Sequence, residues 1–228
     1  MDLYQASAIK KIYKTGSVDL AALQGVSFDI PDKSFLALVG PSGSGKSTLL
    51  NLLGLLEHPS EGQLKFDGID IVSTPETTLT KIRRETIGFI FQNFNLISIL
   101  SAVENVEYPL LLQRRWSRQQ TRKMATELIE QVGLGPFGHH NPSQLSGGQR
   151  QRVAVARALI KRPKVILADE PMANLDSQTS QQILTLMKNL QKEYGTTLII
   201  ASHDKEIAAM ADRRITIKDG LVASDDRK

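Results

Sequence analysis

A glycine-rich loop near the start of the chain separates an apolar run from a leucine-rich stretch. The run Phe35–Val39 is a predicted strand, and the residues after the loop favour a helix. Glycines let oxygen atoms approach backbone N–H groups, and a helix N-terminus adds positive partial charge. The pattern predicts a phosphate site in which Lys46 contacts the β- and γ-phosphates and the Ser47 hydroxyl binds Mg²⁺. The loop comprises Gly40, Pro41, Ser42, Gly43, Ser44, Gly45, Lys46, Ser47 and Thr48.

A second buried-strand pattern ends in two carboxylates. Residues 165–168 are apolar in succession and are followed by Asp169 and Glu170. Such a run is typical of a strand buried on both faces of a parallel sheet. Asp169 is a candidate Mg²⁺ ligand. Because side chains alternate along a strand, Glu170 is directed elsewhere and is a candidate general base for a water molecule.

A third group of residues precedes another predicted helix. Leu145 is followed by Ser146, Gly147, Gly148 and Gln149. The apolar residues that follow recur at helical spacing, so the glycines lie at a helix N-terminus. This is a second anion site of the same physical kind as the first. One chain therefore has two places to hold phosphate.

Together these residues resemble the nucleotide-binding subunit of an ATP-binding-cassette (ABC) transporter. Residues 145–149 match the signature loop of that family in full, and the resemblance extends from about Tyr13 to Val222. Residues 87–96 and 141–144 are typical of the branch for lipoprotein release, macrolide export and cell division. The resemblance implies ATP and Mg²⁺ as cofactors. It also implies an α/β fold: a P-loop NTPase core with a mostly parallel sheet, an antiparallel β subdomain and an inserted α-helical subdomain.

The resemblance adds four functional positions, most of which also have a simpler structural interpretation. Tyr13 resembles the aromatic residue that stacks on adenine, or it packs within a strand. Gln92 resembles the glutamine that contacts Mg²⁺ and the attacking water, or it is a surface amide. His203 resembles the switch histidine that contacts the γ-phosphate, or it is structural. Asp176 belongs to a segment that resembles the loop reaching the partner subunit. The implied catalytic residues are thus Glu170, His203 and Gln92.

The family's mode of action implies a dimer of this chain. Each ATP lies between the phosphate loop of one subunit and Ser146–Gln149 of the other, and hydrolysis opens the pair. Met172 departs from the family, which usually has a small polar residue after the proline. This departure puts in doubt a hydrogen bond between the Asp169 strand and the Asp176 loop.

Composition limits the class of protein. Hydrophobic residues make up 41% and charged residues 23%, as in ordinary globular domains. No apolar run approaches the roughly 20 residues that span a bilayer, and the start does not resemble a secretion signal. The absence of cysteine excludes disulfides and thiolate metal sites. The net charge of +4 is scattered without a basic stripe, so nucleic acid is not an expected partner.

We expect one ABC ATPase domain over residues 1–228. Its antiparallel β parts are predicted at about 1–35 and 62–72, its helical subdomain at about 93–150, and its nucleotide core in the remainder. The Asp-Gly signal within 215–222 predicts a further hairpin of the antiparallel sheet. In the helical region, Ser117 and Gln120 predict a capping box and Gly133 a helix end.

The expected function is ATP hydrolysis to ADP and phosphate, with dimerisation on MgATP driving a separate permease. The substrate expected from the branch is lipid-linked or hydrophobic, and the chain is expected at the cytoplasmic face of the inner membrane, held there by its permease. One alternative is a regulatory cassette that controls wall remodelling in a cell-division-type complex. Another is a soluble cassette acting on DNA or ribosomes, although those usually have two cassettes or a long coiled-coil insert.

Overall fold

The computed structural model describes residues 1–15 and 18–228 of the chain. Contacts among these residues divide the chain into two units, of which the first contains Met1–Arg83 and Thr197–Lys228 and the second Arg84–Thr196. The glycine-rich loop therefore belongs to the first unit. The signature residues and the two strand-end carboxylates belong to the second.

The first unit contains eight of the described strands. They are β1 (Asp2–Thr15), β2 (Val18–Pro31), β3 (Phe35–Val39), β4 (Glu61–Phe66), β5 (Ile69–Asp70), β8 (Thr197–Ser202), β9 (Arg213–Lys218) and β10 (Leu221–Arg227). The helices α1 (Lys46–Leu53) and α7 (Lys205–Met210) lie in this unit, and α2 (Glu76–Thr86) begins in it. Strands β2-β1-β4-β5 form an antiparallel sheet in that order, as predicted for the N-terminal part. The predicted Asp-Gly turn joins β4 to β5, with positive φ at both Asp67 and Gly68.

The strand that leads into the glycine-rich loop is the centre of a second set of strands. β3 pairs in parallel with β8 on one side and with β9 on the other, and β10 is antiparallel to β9. Residues 35–38 and 198–201 are fully buried, which confirms the reading of both apolar runs as interior strands. The assignment of residues 215–222 to the antiparallel sheet was wrong. A hairpin of β9 and β10 does form there, but β9 pairs with β3. A turn signal predicts that two strands form a hairpin, but it does not predict which sheet the hairpin joins.

The second unit combines two parallel strands with four longer helices. The strands are β6 (Ile87–Ile90) and β7 (Val165–Asp169), and the helices are α3 (Ala102–Gln113), α4 (Arg118–Gln131), α5 (Gly147–Leu159) and α6 (Ser177–Tyr194). The predicted capping box of Ser117 and Gln120 starts α4. Gly133, with φ +77°, follows its end. Among the described residues, no helix is both long enough and apolar enough to cross a bilayer.

Asn105 on α3 is a buried polar residue that fixes the chain segment before that helix. Its Oδ1 accepts a hydrogen bond from the Ile97 N–H at 2.8 Å. Its Nδ2 lies 3.0–3.1 Å from the carbonyl oxygens of Ile97, Leu100 and Ser101, which share its two N–H donors. One fully buried side chain thus contacts four backbone groups, and the connection between β6 and α3 depends on it.

We expect Asn105→Ala to lower the free energy of unfolding by about 2–3 kcal/mol, because it leaves buried backbone groups without partners. Urea unfolding of the purified chain measures this. Gln113→Ala is the matched control. Its exposed amide donates one 3.3 Å hydrogen bond to the Arg84 carbonyl, so its loss should cost less than about 0.5 kcal/mol. Equal unfolding midpoints for the two variants would contradict the assignment.

Candidate functional site

The glycine-rich loop is formed by a close approach of backbone to backbone. At Gly40 φ is +154°, and a Cβ atom there would lie 2.1 Å from the Ile217 carbonyl oxygen. Gly45, with φ +107°, is the N-cap residue of α1, and no side chain caps that helix. The first-turn N–H groups of α1 are therefore directed into the loop without competition from a cap. The exposed Ser47 lies in this first turn, as a candidate Mg²⁺ ligand should.

The polar groups of the loop fit a bound phosphate. The Lys46 ammonium donates to the carbonyl oxygens of Gly40 and Pro41 at 2.8 and 2.9 Å, which closes the loop around it. An ammonium has three N–H donors, so a third remains for a phosphate oxygen. Ser44 Oγ is buried and has no hydrogen-bond partner within the described residues. A buried hydroxyl of this kind is satisfied by an oxyanion at the centre of the loop.

His203 lies at the same strand edge as the start of the loop. Val39 and Ser202 are register partners in the parallel pair β3–β8, so Gly40 and His203 are the next residues of the two strands. The Ser202 hydroxyl accepts from the Asp204 N–H at 3.1 Å, which turns the chain just after the strand. The exposed His203 side chain is thereby presented at the edge where phosphate would bind.

Tyr13, the candidate adenine residue, lies on β1 in the same unit. It is half-buried, and its hydroxyl donates to the Glu57 carboxylate at 2.9 and 3.1 Å. Partial burial and the hydrogen bond to Glu57 both raise the pKa of Tyr13 above its ordinary value. No sequence pattern indicated Glu57 as a partner of Tyr13, because the two residues are 44 positions apart.

In the second unit, the candidate metal ligand and general base lie at the end of β7. Ile90 and Ala168 are register partners in the parallel pair β6–β7, so the chain leaves both strands at the same edge. Asp169 is the last residue of the strand and Gln92 follows β6 by two residues, which brings these candidates to that edge. Glu170 has φ +43°, a left-handed conformation that is uncommon for a non-glycine residue. Strain of this kind is concentrated at functional sites.

The segment that carries Gln92 is held by residues from other parts of this unit. Asn174 Nδ2 donates to the Gln92 carbonyl oxygen at 3.0 Å. The Arg157 guanidinium on α5 donates to the carbonyl oxygen of Phe94 at 2.7 Å and also to that of Asn95. Burial lowers the pKa of Arg157. Neither anchoring role was predicted, because both contacts link residues distant in the sequence.

The signature residues lie at a helix N-terminus, as predicted, and the structure shows that this start is capped. Ser146 is the N-cap of α5: its Oγ accepts from the Gln149 N–H at 3.2 Å, and Gln149 Oε1 accepts from the Ser146 N–H at 2.8 Å. The Ser146 O–H can still donate to an anion, since the cap uses only its acceptor capacity. The N–H groups of Gly147 and Gly148 lie in the first turn, where a helix favours negative charge.

The start of α6 packs directly against this helix start. A Cβ atom at Gly148 would lie 2.6 Å from Thr179 Cγ2, so the contact has no room for a side chain. Asp176 is the N-cap of α6 and accepts from the Thr179 N–H at 2.9 Å. Hydrogen bonds from Thr179 hold the pKa of Asp176 below its ordinary value. Within this chain, the Asp176 carboxylate thus caps the start of α6.

Met172, the departure from the family pattern, is buried. Its carbonyl oxygen accepts from the Leu175 N–H at 3.0 Å. The turn that leads to Asp176 is therefore supported by the backbone, which any residue at position 172 can supply.

The predicted site residues fall into two sets according to unit. The first unit brings together the loop at residues 40–48 and His203, with Tyr13 on β1. The second brings Gln92 to the edge that holds Asp169 and Glu170, and it packs the signature helix start against the Asp176 loop. Each set has the donors or acceptors that its proposed ligand requires.

Comparison with known proteins identifies the family. A family model described as ABC transporter matches residues 23–173. The uncharacterized ABC transporter ATP-binding protein MJ0796 of Methanocaldococcus jannaschii is 46% identical, over 96% of this chain and 94% of that protein. The macrolide export ATP-binding/permease protein MacB of Rhodopirellula baltica is 47% identical over 99% of this chain. The chain spans only 33% of the length of that MacB, about a third.

Solved structures confirm the fold predicted from the sequence. The dimeric structure of a post-hydrolysis state of the ATP-binding cassette MJ0796, bound to ADP and Pi, matches with a TM-score of 0.91 at 44% identity and covers 98% of both chains. The α/β class, the P-loop NTPase core and the antiparallel β subdomain are thereby confirmed. The family model matches more than half of the chain, and a cassette of similar size is 46% identical to it. This chain therefore belongs to the ABC transporter family as one of its ATPase cassettes.

Proposed function

We propose that two copies of this chain close on two MgATP molecules and drive a separate membrane permease, which exports or extracts a lipid-linked or hydrophobic substrate. The chain acts at the cytoplasmic face of the inner membrane, held there by its permease. The observation that carries the proposal is the presence of two different anion-binding helix starts in one chain. One follows a glycine-rich loop without a cap, and the other is capped by Ser146.

In the first step, the loop at residues 40–48 binds the triphosphate. Lys46 and the first-turn N–H groups of α1 meet the phosphate charge, and Tyr13 stacks on the base. Ser47, Asp169 and Gln92 are the residues that would hold Mg²⁺, and the ion would supply positive charge to neutralise the phosphates. Both the buried Ser44 hydroxyl and the closed arrangement around Lys46 support this assignment.

In the hydrolytic step, Glu170 orients a water molecule and accepts its proton, while Gln92 and His203 contact the water and the γ-phosphate respectively. The edge positions of these residues support their roles. Gln92 follows β6 beside the end of β7, and His203 follows β8 beside the start of the loop. Loss of the γ-phosphate removes negative charge from both helix starts, and the pair of chains opens.

Dimerisation is supported by the chemistry of the signature and by a relative. Ser146–Gln149 offer an O–H and first-turn N–H groups to a phosphate. The chain binds its own nucleotide at residues 40–48, so these donors remain for the nucleotide of a second copy. The cassette MJ0796, of similar length, has been solved as a dimer. A triphosphate held between the loop of one copy and the signature of its partner uses both anion sites.

A pocket in the second unit supports docking of the permease. Its volume is about 200 Å³, and the charged residues among its described lining are Arg157 and Lys161. The stacked rings of Phe89 and Phe91, 5.7 Å apart, supply an apolar surface. Burial lowers the pKa of Lys161 to about 8, so a carboxylate from a partner would favour its charged form. We therefore propose that a short acidic helix of the permease docks here. The combined ATP-binding/permease name of the MacB relatives supports such a pairing.

Glu170→Gln should slow ATP turnover by about 10²–10⁴-fold while MgATP binding is retained, because the amide cannot accept the proton of the water. Steady-state phosphate release and calorimetric titration measure the two quantities. Glu127→Gln, an exposed change of the same kind on α4, should leave both unchanged. Near-normal turnover in Glu170→Gln would exclude the general-base role.

Ser146→Arg should abolish the ATP-driven dimer, since the bulky side chain occupies the place of the partner's phosphate. The change is made in the Glu170→Gln background, where hydrolysis does not reopen the pair, and light scattering reports the mass. Ser143→Arg, at an exposed position three residues earlier, is the control and should still dimerise. Dimers of the Ser146→Arg chain would contradict the shared phosphate.

Lys161→Gln should weaken the complex with the permease by about tenfold, because it removes the charge of one close ion pair. The amide still reaches towards the Arg84 carbonyl, to which Lys161 donates at 3.0 Å. The partner to test is the membrane protein encoded beside the chain's own gene, with affinity measured in detergent. Lys192→Gln on α6 is the exposed control. If the wild-type chain and Lys161→Gln both form the complex with the same affinity, docking at this pocket is contradicted.

A further inference from the structure

Glu57, just beyond α1, is the centre of a hydrogen-bonded cluster around Tyr13. Its carboxylate accepts from the Tyr13 hydroxyl at 2.9 and 3.1 Å and from Asn51 Nδ2 at 3.0 Å. The Lys11 ammonium lies 2.8 Å from Glu57 Oε2, in an ion pair whose side chains are only 15% and 27% exposed. Lys11 is fixed in turn by donating to the His58 carbonyl oxygen at 2.9 Å.

Lys11 also covers one face of the tyrosine ring. Its ammonium lies 5.2 Å from the ring centroid of Tyr13, within the range of a cation–π interaction. The two residues are neighbours on the same side of β1, since side chains two positions apart point the same way. A base that stacks on Tyr13 with Lys11 in place must therefore use the opposite face of the ring.

The electrostatics of the cluster favour an ionised Glu57. Partial burial opposes ionisation, but hydrogen bonds from Lys11, Tyr13 and Asn51 outweigh it and hold the pKa of Glu57 below its ordinary value. The Tyr13 hydroxyl thus donates to a charged acceptor, which is a stronger and more directional bond than one between neutral groups. The ring is held in one orientation before any ligand arrives.

The cluster also links the ring to the phosphate loop. Asn51 lies on α1, the helix that begins with Lys46. A helix of this length is rigid, so the distance between Lys46 and Asn51 is fixed. Glu57 joins the far part of that helix to the Tyr13 hydroxyl. The separation between a triphosphate at the loop and a base on Tyr13 is therefore determined by this chain's own hydrogen bonds.

We propose that Glu57, together with Lys11 and Asn51, is a positioning residue that presents Tyr13 to the base of the nucleotide. The inference rests on the proposed binding of ATP at residues 40–48. Glu57 contacts neither the phosphates nor the reacting atoms, and its effect is confined to the base. Ligands without a base, such as inorganic tripolyphosphate, are bound by the loop alone.

The test compares two ligands on the full chain by calorimetry: MgATP and magnesium tripolyphosphate. Glu57→Ala should bind MgATP about 5- to 10-fold more weakly, as expected for part of a stacking contact, and tripolyphosphate with unchanged affinity. Its KM for ATP should rise by the same factor while kcat stays within about twofold. Glu57→Gln, whose amide oxygen still accepts from Tyr13, should restore most of the affinity.

Two controls separate the possible failures. Glu61→Ala removes an exposed ion pair with Lys10 on the same sheet and should change nothing, whereas Lys46→Ala should weaken both ligands. If Glu57→Ala binds MgATP as the wild type does, or loses both ligands equally, the positioning role is overturned while the proposed function stands. A wild-type chain that binds neither ligand would overturn the proposed function and, with it, the inference.

Discussion

The site depends on one physical constraint: the negative charge of a phosphate must meet helix N–H groups that no side chain has already taken. Among the α-helices whose N-caps the structure describes, α1 alone begins without a side-chain cap. The starts of α3, α4, α5, α6 and α7 are capped by Ser101, Ser117, Ser146, Asp176 and Asp204. An uncapped start costs stability in the unliganded chain. Here Gly45 offers no capping side chain, and the buried Ser44 hydroxyl has no partner within the described residues, so both leave donors for a ligand.

Parallel strand register then determines which candidate side chains lie together at the end of each pair of strands. Val39 is opposite Ser202 in one pair and Ile90 is opposite Ala168 in the other, so in each pair the next residues leave at a common edge. The loop and His203 follow from the first register, and Gln92 and Asp169 from the second. A slip of one residue would turn each of these side chains to the other face. Burial of residues 35–38, 165–168 and 198–201 opposes such a slip, since another register would expose apolar side chains or bury polar ones.

The sequence predicted those parts of the molecule that depend on local chemistry. Short patterns predicted features that are determined by neighbouring residues. These features are the strand, loop and helix at residues 35–53, the apolar run before Asp169, and the helix ends at Ser117 and Gly133. Contacts between distant residues could not be read in this way. The partner strand of β9 and the Glu57 cluster depend on where the chain returns after tens of residues. The Asn105 contacts span fewer residues, but they join a helix to an irregular segment that has no sequence pattern. A single sequence gives no pattern for such pairs.

Within the second unit, the signature helix start is connected by packing to the segment that carries Gln92. An anion at the start of α5 acts on Gly147 and Gly148, and Gly148 packs against Thr179 with no space for even one further carbon atom. Because interiors are close-packed, the starts of α5 and α6 cannot move independently without a clash or a void. The loop before α6 carries Asn174, which holds the Gln92 carbonyl. A displacement imposed at the signature would therefore be passed through packing and one hydrogen bond to the segment that carries Gln92.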